Sequence, residues 1–338
     1  MYISRKILKL LINSVSHYSL IGDFEELYIE IKETNGTFRA ILWYWLQIIK
    51  ATAAYISYST YWGITMFKNH IKLAFRNIFK HKLSSNINII GLAVGIACSL
   101  VLFVYIQYEL SYDSFHERSD RIYRAVNDRT SQTNTGNWAV TPPALAPALL
   151  EEFPEIEEAV RLLRMPSTFT MLLTYKDRKF FEEDVLFVDE SFFRTFTVQF
   201  LQGDPETALS TPESIVLTRS MAEKYFGSED PINKIITINN DNLATVTGVV
   251  QDFPVNSHFR FSSLIPMSYF EAEQGDRMQS WIWHQFWTYF LLKENTSILT
   301  VQNKLQEFVN RRSKEQAESE GFTYQTHIQP LESIHLSS

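Results

Sequence analysis

Residues Ile87 to Tyr108 read INIIGLAVGIACSLVLFVYIQY. A helix needs roughly 20 predominantly apolar residues to cross a bilayer. Here the strongly polar side chains, Asn88 and Gln107, stand at the two ends. The alternative is a buried helix of a soluble protein, but such helices rarely run this long without a charge. The stretch is therefore read as a transmembrane helix over residues 87–108. It divides the chain into a short front part and a long rear part on opposite sides of a lipid bilayer. A cleaved signal peptide does not fit, because the apolar run starts far beyond the usual position of one.

The flanks give the orientation. Between Phe67 and Asn86 the charged residues are Lys68, Lys72, Arg76, Lys80 and Lys82, with no acid among them. Between Glu109 and Asp128 the acids Glu109, Asp113, Glu117, Asp120 and Asp128 stand against Arg118, Arg121 and Arg124. An excess of Lys and Arg marks the cytoplasmic side. Residues 1–86 are thus expected in the cytoplasm and residues 109–338 outside it.

About 230 residues follow the span, enough for one large domain or two small ones. The net charge of −7 argues against a general nucleic-acid binder. Cys98, the single cysteine, lies within the span, so the exported part has no disulfide and must rest on an ordinary core.

In the front part, Phe67 to Leu83 (FKNHIKLAFRNIFKHKL) places Phe67, Ile71, Ala74, Phe75, Ile78 and Phe79 on one helical stripe, with the basic residues opposite. A basic amphipathic helix beside a span is expected to lie along the headgroups. Ile41 to Trp62 is apolar too, but Gln47, Lys50 and its Ser/Thr content argue for an interfacial helix rather than a second span. Gly22 to Ile31 reads as a small acidic helix, and the N-terminal stretch over residues 1–20 as an amphipathic one.

The exported part mixes strands and helices without a regular βαβ rhythm, so the fold class is α+β. The helix of the span is expected to continue past Glu109 before a strand over about 121–127. Thr141-Pro142-Pro143 is expected to open a helix through Glu152. Ser214 to Leu217 reads as a strand, Thr218 as the cap of a helix through Phe226, and Gly227 as its stop. Ile235 to Ile238 and Ala244 to Val250 alternate like a hairpin turned by residues 239–242. Trp281 to Leu292 reads as a long aromatic strand, with Trp281, Trp283 and Trp287 on one face as core. Ser297 to Arg312 is expected to be an amphipathic helix.

Motifs of chemistry are scarce. No glycine is followed by lysine, so there is no Walker A loop, and neither G-x-S-x-G nor H-E-x-x-H occurs. Asp113, His116, Glu117 and Asp120 come nearest to a metal cluster and read better as a solvated face above the membrane. His258, without an obvious base partner, reads as structural. No catalytic, cofactor-binding or metal residue is assigned. Within the span, Gly91 and Gly95 form G-x-x-x-G, extended by Ala93, Ala97 and Ser99. Small residues of this kind let helices approach closely in lipid.

Taken in order, several words of the chain resemble MacB/FtsX-type ABC transporter permeases. They are Tyr108 to His116 (YELSYDSFH), Asp120 to Arg124 (DRIYR), Phe153 to Glu157 (FPEIE), Val188 to Phe193 (VDESFF), Gly203 to Pro205 (GDP), Ala222 to Gly227 (AEKYFG), Asp230 to Ile232 (DPI), Val246 to Val249 (VTGV), Phe253 to His258 (FPVNSH) and Pro330 to Leu336 (PLESIHL). The resemblance covers roughly residues 66–338. Residues 1–65, with GDFEE and WYW-x-Q, look like the cytoplasmic prefix domain that some of these permeases carry. Asn233 stands where the family usually has glycine, which puts that turn in doubt.

The resemblance implies a cytoplasmic prefix over 1–65, a membrane-surface helix over 66–86, the span, and over 109–338 a MacB-like periplasmic core domain with a porter-like part and an inserted subdomain. It implies a transport component of the inner membrane rather than an enzyme. A separate ABC ATPase subunit would drive it, other spans or a second copy would pack against Gly91 and Gly95, and the cargo would be a drug, peptide or lipoprotein. Such permeases carry further spans after the core domain, so the chain is expected to be the N-terminal piece of a longer protein. The rival class is a single-span receptor with an extracytoplasmic sensing domain; residues 1–86 offer it no kinase or methyl-accepting coiled coil. A membrane-anchored hydrolase ranks behind both.

Overall fold

The structure, a computed structural model, describes residues 18–130, 135–165, 170–320 and 323–337. The chain divides into two compact units, Met1–Ser99 and Leu100–Ser338. In the first, α1 (Tyr18–Asn35) and α2 (Thr37–Lys80) are joined at Gly36. Tyr44 and Ile48 are buried against Tyr28 and Trp43, and Tyr28 meets Tyr44 edge-on at 5.6 Å. The acidic stretch Gly22 to Ile31 falls inside α1. The amphipathic helix expected over residues 1–20 lies outside the described residues, apart from the three that open α1.

The basic stretch expected as a separate helix over Phe67 to Leu83 is instead, through Lys80, the end of α2, which runs unbroken for 44 residues, while Lys82 and Leu83 open the next helix. No proline interrupts it. The hydroxyls of Thr52 and Thr65 bond back to the carbonyls of Ile48 and Tyr61, at 2.7 and 2.8 Å, so these residues do not compete with the helix. After His81 comes α3 (Lys82–Glu109), with no buried residue and a mean hydropathy of 2.7 over its most apolar window. Among the described residues it is the helix long and apolar enough to cross a membrane.

The second unit is α+β, as expected. Past Glu109 the chain does not continue as helix. Ser111 and Ser114 turn their hydroxyls onto the carbonyls of Tyr108 and Ser111, at 2.7 and 2.9 Å, and Asp113 adopts a φ of +56°. These local bonds offer the backbone an alternative to the helix. The strands and helices that follow are β1 (Ile122–Thr130), β2 (Thr135–Trp138), α4 (Leu145–Glu152), β3 (Ile156–Arg164), β4 (Met171–Tyr175), β5 (Arg178–Glu182), β6 (Val185–Val188), α5 (Phe192–Thr195), β7 (Phe200–Gly203), β8 (Ser214–Thr218), α6 (Arg219–Phe226), β9 (Ile235–Ile238), β10 (Asn242–Val250), β11 (Ser263–Pro266), α7 (Met267–Gln274), β12 (Trp287–Leu292), α8 (Ile298–Glu320), β13 (Thr323–Pro330) and α9 (Ile334–Ser337).

The strands form one sheet in the order β13-β1-β12-β3-β6-β11-β8-β10-β9-β4-β5, with β2 on β1 and β7 on β10. The β10–β8 and β11–β6 pairs are parallel; the other pairs are antiparallel. Successive residues of a strand point to opposite faces, and the core follows that rule. Ile215 and Leu217 enter one cluster with Met221 and Tyr225 of α6, while Val216 enters another with Phe192, Phe196, Phe259 and Phe261. A third cluster seats α4 and α8 on the sheet through Leu149, Phe290, Leu305 and Phe308.

The cap at Thr218 forms as expected, its hydroxyl accepting from the Met221 N–H, and Gly227 stops α6 with a φ of +65°. The hairpin of β9 and β10 forms as well. Asn233 adopts a φ of +62°, which asparagine tolerates, and its N–H bonds to Val246 O at 2.9 Å, so the turn forms without glycine. Gly203 is obligatory. Its φ is +90°, and a Cβ there would stand 2.4 Å from the carbonyl oxygen of Thr247.

Three further expectations need correction. The strand begins at Trp287, not Trp281, and the three tryptophans fall in three different clusters rather than on one face. Ser280 Oγ accepts the N–H groups of Ile282 and Trp283, at 3.2 and 3.1 Å, which folds that segment into a turn. Thr141 does not open a helix: its N–H is pinned to Phe286 O at 2.6 Å, and α4 starts at Leu145. Helix α8 extends eight residues beyond Arg312 to Glu320.

Candidate functional site

The first turns after α3 are held by segments from far along the chain. The Asn256 amide donates to Ser111 O at 2.9 Å, and the Asp113 N–H donates to Asn256 O at 3.0 Å. Asp113 itself is fully buried. Its carboxylate accepts from Ser257 Oγ at 2.8 Å and the His258 N–H at 3.2 Å, and pairs with His258 Nδ1 at 2.8 Å. On the other side of the imidazole, Nε2 meets the hydroxyl of Tyr289 at 2.6 Å. With the carboxylate as acceptor, Nδ1 carries the proton and Nε2 accepts from the tyrosine.

The chain of bonds continues across the sheet. Arg124 stands opposite Tyr289 in the β1–β12 register and opposite Gln329 in the β1–β13 register. Its guanidinium donates to Gln329 Oε1 at 2.6 and 3.2 Å, and the Gln329 amide donates to Ser337 Oγ at 2.7 Å. From the same C-terminal segment, His335 Nε2 meets Glu109 Oε2, at the last residue of α3, at 2.6 Å, and its ring stacks on Tyr112 at 3.4 Å. Ser119 Oγ donates to Glu332 at 2.8 Å. Arg118 and Arg121 reach Glu157 at 3.2 and 3.3 Å, and Arg118 also donates to Arg194 O.

A second buried histidine sits beside this network. His116 Nδ1 accepts the Thr197 N–H at 3.1 Å, and its ring lies among Phe115, Phe196 and Phe253. Burial pushes His116 down to about 4, despite the nearby Asp113 charge that favours its protonation. Burial likewise lowers His258, outweighing the hydrogen bond it donates to Asp113. For Asp113, burial pushes the carboxyl up, but the bonds from His258 and Ser257 outweigh it and hold the group below the usual range. Burial raises the Tyr289 hydroxyl, against the opposing charge of Arg124. At neutral pH the site is therefore an aspartate, two neutral histidines and a neutral tyrosine.

This arrangement resembles a relay in its order of groups, but its tyrosine is fully enclosed in the core. Its chemistry is that of a clamp. Asp113, His116, Glu117 and Asp120 do not converge on one point, and among the described residues no group of three or more His, Cys, Asp or Glu could hold a metal ion. Asp113 and His116 are buried rather than on the solvated face expected for them. The base partner that His258 lacked in the sequence is Asp113, 145 residues away. Gly91 and Gly95 lie one turn apart on the exposed surface of α3, with nothing within 4 Å of where a Cβ would sit.

The other recurrent words serve as anchors. Asp189 of VDESFF receives Arg161 at 2.6 and 2.9 Å, and Ser191 bonds to Ala159 O at 2.7 Å. Tyr225 and Lys224 of AEKYFG meet on Glu182 at 2.7 and 2.6 Å. Beside the clamp, a cleft of about 210 Å³ is lined by Phe115, Val198, Phe253 and Pro254 among others.

A family model described as the MacB-like periplasmic core domain matches residues 85–308. No curated protein matches the chain. Among solved structures, it is similar to "a domain of a putative permease protein" from Porphyromonas gingivalis, with a TM-score of 0.56 and 23% identity over 64% of this chain and 91% of that one. That likeness is one of fold. Lower similarity, each at a TM-score of 0.44, is found to the periplasmic region of MacB from Actinobacillus actinomycetemcomitans, at 13% identity over 61% and 89% of the two chains. The other is the extracellular domain of the noncanonic ABC-type transporter YknZ from Gram-positive bacteria, at 14% identity over 61% and 99%.

Proposed function

The chain belongs to the MacB-like periplasmic core domain family, and on that premise we propose that it is a permease component of a MacB/FtsX-type ABC transporter. In this reading α3 crosses the inner membrane, residues 1–86 face the cytoplasm and residues 109–338 form the periplasmic domain. A separate ATPase docks on the cytoplasmic side, and its cycle tilts or shifts the span. The domain answers by moving drug, peptide or lipoprotein cargo. The chain's own role is mechanical rather than catalytic. Gly91 and Gly95 form the seam by which α3 packs against other spans or a second copy.

One observation carries the reading: the clamp at the end of α3. A helix can pass its motion to a domain only if no flexible joint intervenes. Glu109, Ser111 and Asp113 are bonded to His335, Asn256, Ser257 and His258, within four residues of the helix end. Displacement of the span is thereby led into β1, β12 and β13 instead of being lost in a linker.

The test is to insert a short flexible Gly-Ser segment after Glu109. ATPase association and membrane levels are expected to persist while transport is lost. Unchanged transport with the joint loosened would show that the clamp does not couple the two. A cysteine at exposed Lys179 reports the topology. Modification by a membrane-impermeant reagent is expected there, with protection of one at Asn35, and the reverse pattern would invert the orientation.

A further inference from the structure

The side chains of Asp113 and His258 in the clamp are buried, but the immediate chain neighbours of Glu109, Asn256 and His335 are exposed. Leu110, next after the last residue of α3, is 61% exposed; Val255, beside Asn256, is 60% exposed; Leu336, beside His335, is 59% exposed. Single exposed aliphatic residues are ordinary. These three come from segments separated by up to 226 positions, yet each is one residue away from a group bonded to the first turns after the span. Consecutive Cα atoms are about 3.8 Å apart, so all three lie close to the end of α3. Arg260 donates to Val255 O at 2.7 Å with its side chain otherwise exposed, and Tyr108 is also exposed.

The length of α3 gives the depth. Its 28 residues extend about 42 Å. A hydrocarbon core is about 30 Å thick, and about 40–45 Å with headgroups. A helix of this length therefore ends in the headgroup layer, at the level where tyrosine and arginine collect. Side chains tied to that end share its depth.

We propose that the underside of the domain is a membrane-contact surface: Leu110, Val255 and Leu336 seat in the headgroup layer on the outer face of the bilayer, with Arg260 against lipid phosphate. The lipid is the occupant because the exposed apolar surface of α3 runs on through Tyr108 and Leu110, and Val255 and Leu336 are the chain neighbours of residues bonded to that end. The domain thus rests on the membrane at three points near the end of the span. This goes beyond the transporter reading but shares with it the assumption that α3 crosses the bilayer.

The test uses the full chain with Cys98→Ser, reconstituted in vesicles of phosphatidylcholine and phosphatidylglycerol. A nitroxide label is placed singly at Val255→Cys, Leu336→Cys, Val94→Cys or Leu243→Cys. Leu243 is equally exposed but lies on β10, six strands from β1 in the sheet order, or roughly 29 Å at the usual strand spacing. Collision with dissolved oxygen reports lipid, and collision with a water-soluble nickel chelate reports water. Labels at Val255 and Leu336 are expected to show several-fold lower nickel access than Leu243, with oxygen access between those of Leu243 and Val94. Nickel access equal to that of Leu243 would overturn the proposal. So would low access to both reagents, which marks a surface covered by protein. A water-exposed label at Val94 would remove the span itself, and the membrane contact with it.

Discussion

Replacing Asp113 by alanine should be the most damaging single change to the clamp. The aspartate is fully buried and accepts from the Ser257 hydroxyl, the His258 N–H and the His258 ring. Each buried donor left unsatisfied costs about 1–3 kcal/mol. The Ser257 hydroxyl can rotate toward another acceptor, and the His258 N–H bond is long at 3.2 Å, so both count near the low end. The imidazole bond to a charged oxygen counts higher. Alanine at a φ of +56° adds about 1–2 kcal/mol. Relief of the buried charge offsets part of this, leaving a loss of about 3–4 kcal/mol. With a urea m-value of about 3 kcal/mol/M for a domain of this size, the midpoint should fall by roughly 1 M. Asp113→Asn keeps an acceptor and tolerates the backbone, so it should lose about half as much. The measurement is urea unfolding of the detergent-solubilised chain, followed by near-ultraviolet circular dichroism. A shift below about 0.3 M for Asp113→Ala would mean that the network contributes little, and the clamp argument would fail.

Three further outcomes are expected. His116 and His258 are held neutral in the fold, so the unfolded chain binds more protons below 6.5, the ordinary histidine value. Their contribution to stability is present above that pH and is lost as pH falls from 6.5 toward about 4 for His116; from His116 alone the loss is about 3 kcal/mol. A urea midpoint that is the same at neutral pH and about pH 4.5 would contradict this, and His116→Phe should flatten the dependence. Gly203→Ala drives a Cβ to within 2.4 Å of Thr247 O, so β7 must part from β10 at a cost of about 2–3 kcal/mol; a thermal midpoint matching the unmodified chain would refute it. Gly91→Leu with Gly95→Leu should leave membrane levels intact but weaken cross-linking to neighbouring spans, because lipid is as apolar as leucine while close helix packing needs small residues. Undiminished cross-linking would show that this face meets only lipid.

Much of the architecture could be read from local signals. The span follows from composition, α6 from Thr218 and Gly227, and the β9–β10 hairpin from alternation around an asparagine-rich turn. Two of the misreadings share a physical origin, since side chains captured backbone groups that periodicity assigns to helices or strands. Ser280 does so before Trp283, and Ser111 and Ser114 after α3. The clamp was legible only as words. YELSYDSFH, FPVNSH and PLESIHL stand out in the chain, but nothing in any of them says that they meet. Asp113 looked like one acid among several on a surface, and His258 like a histidine without a partner. Their pairing joins the turn before β1 to the loop between β10 and β11, and spacing along the sequence does not encode that.

The separation of its parts also sets when the clamp can close. Glu109 and His335 are 226 residues apart. At a synthesis rate of about 5–20 residues per second, the segment carrying His335 emerges roughly 10–45 s after the end of the span. Asp113 waits for His258, 145 residues later, and Glu109 for His335 longer still, so in the first part of that interval α3 can rotate or slide in the bilayer free of its domain. The joint is therefore completed only after the strands from β1 to β13 have been made. A ribosome that stalls before His335 would leave an inserted helix attached to a domain not yet latched to its end, a form open to periplasmic proteases at the joint itself.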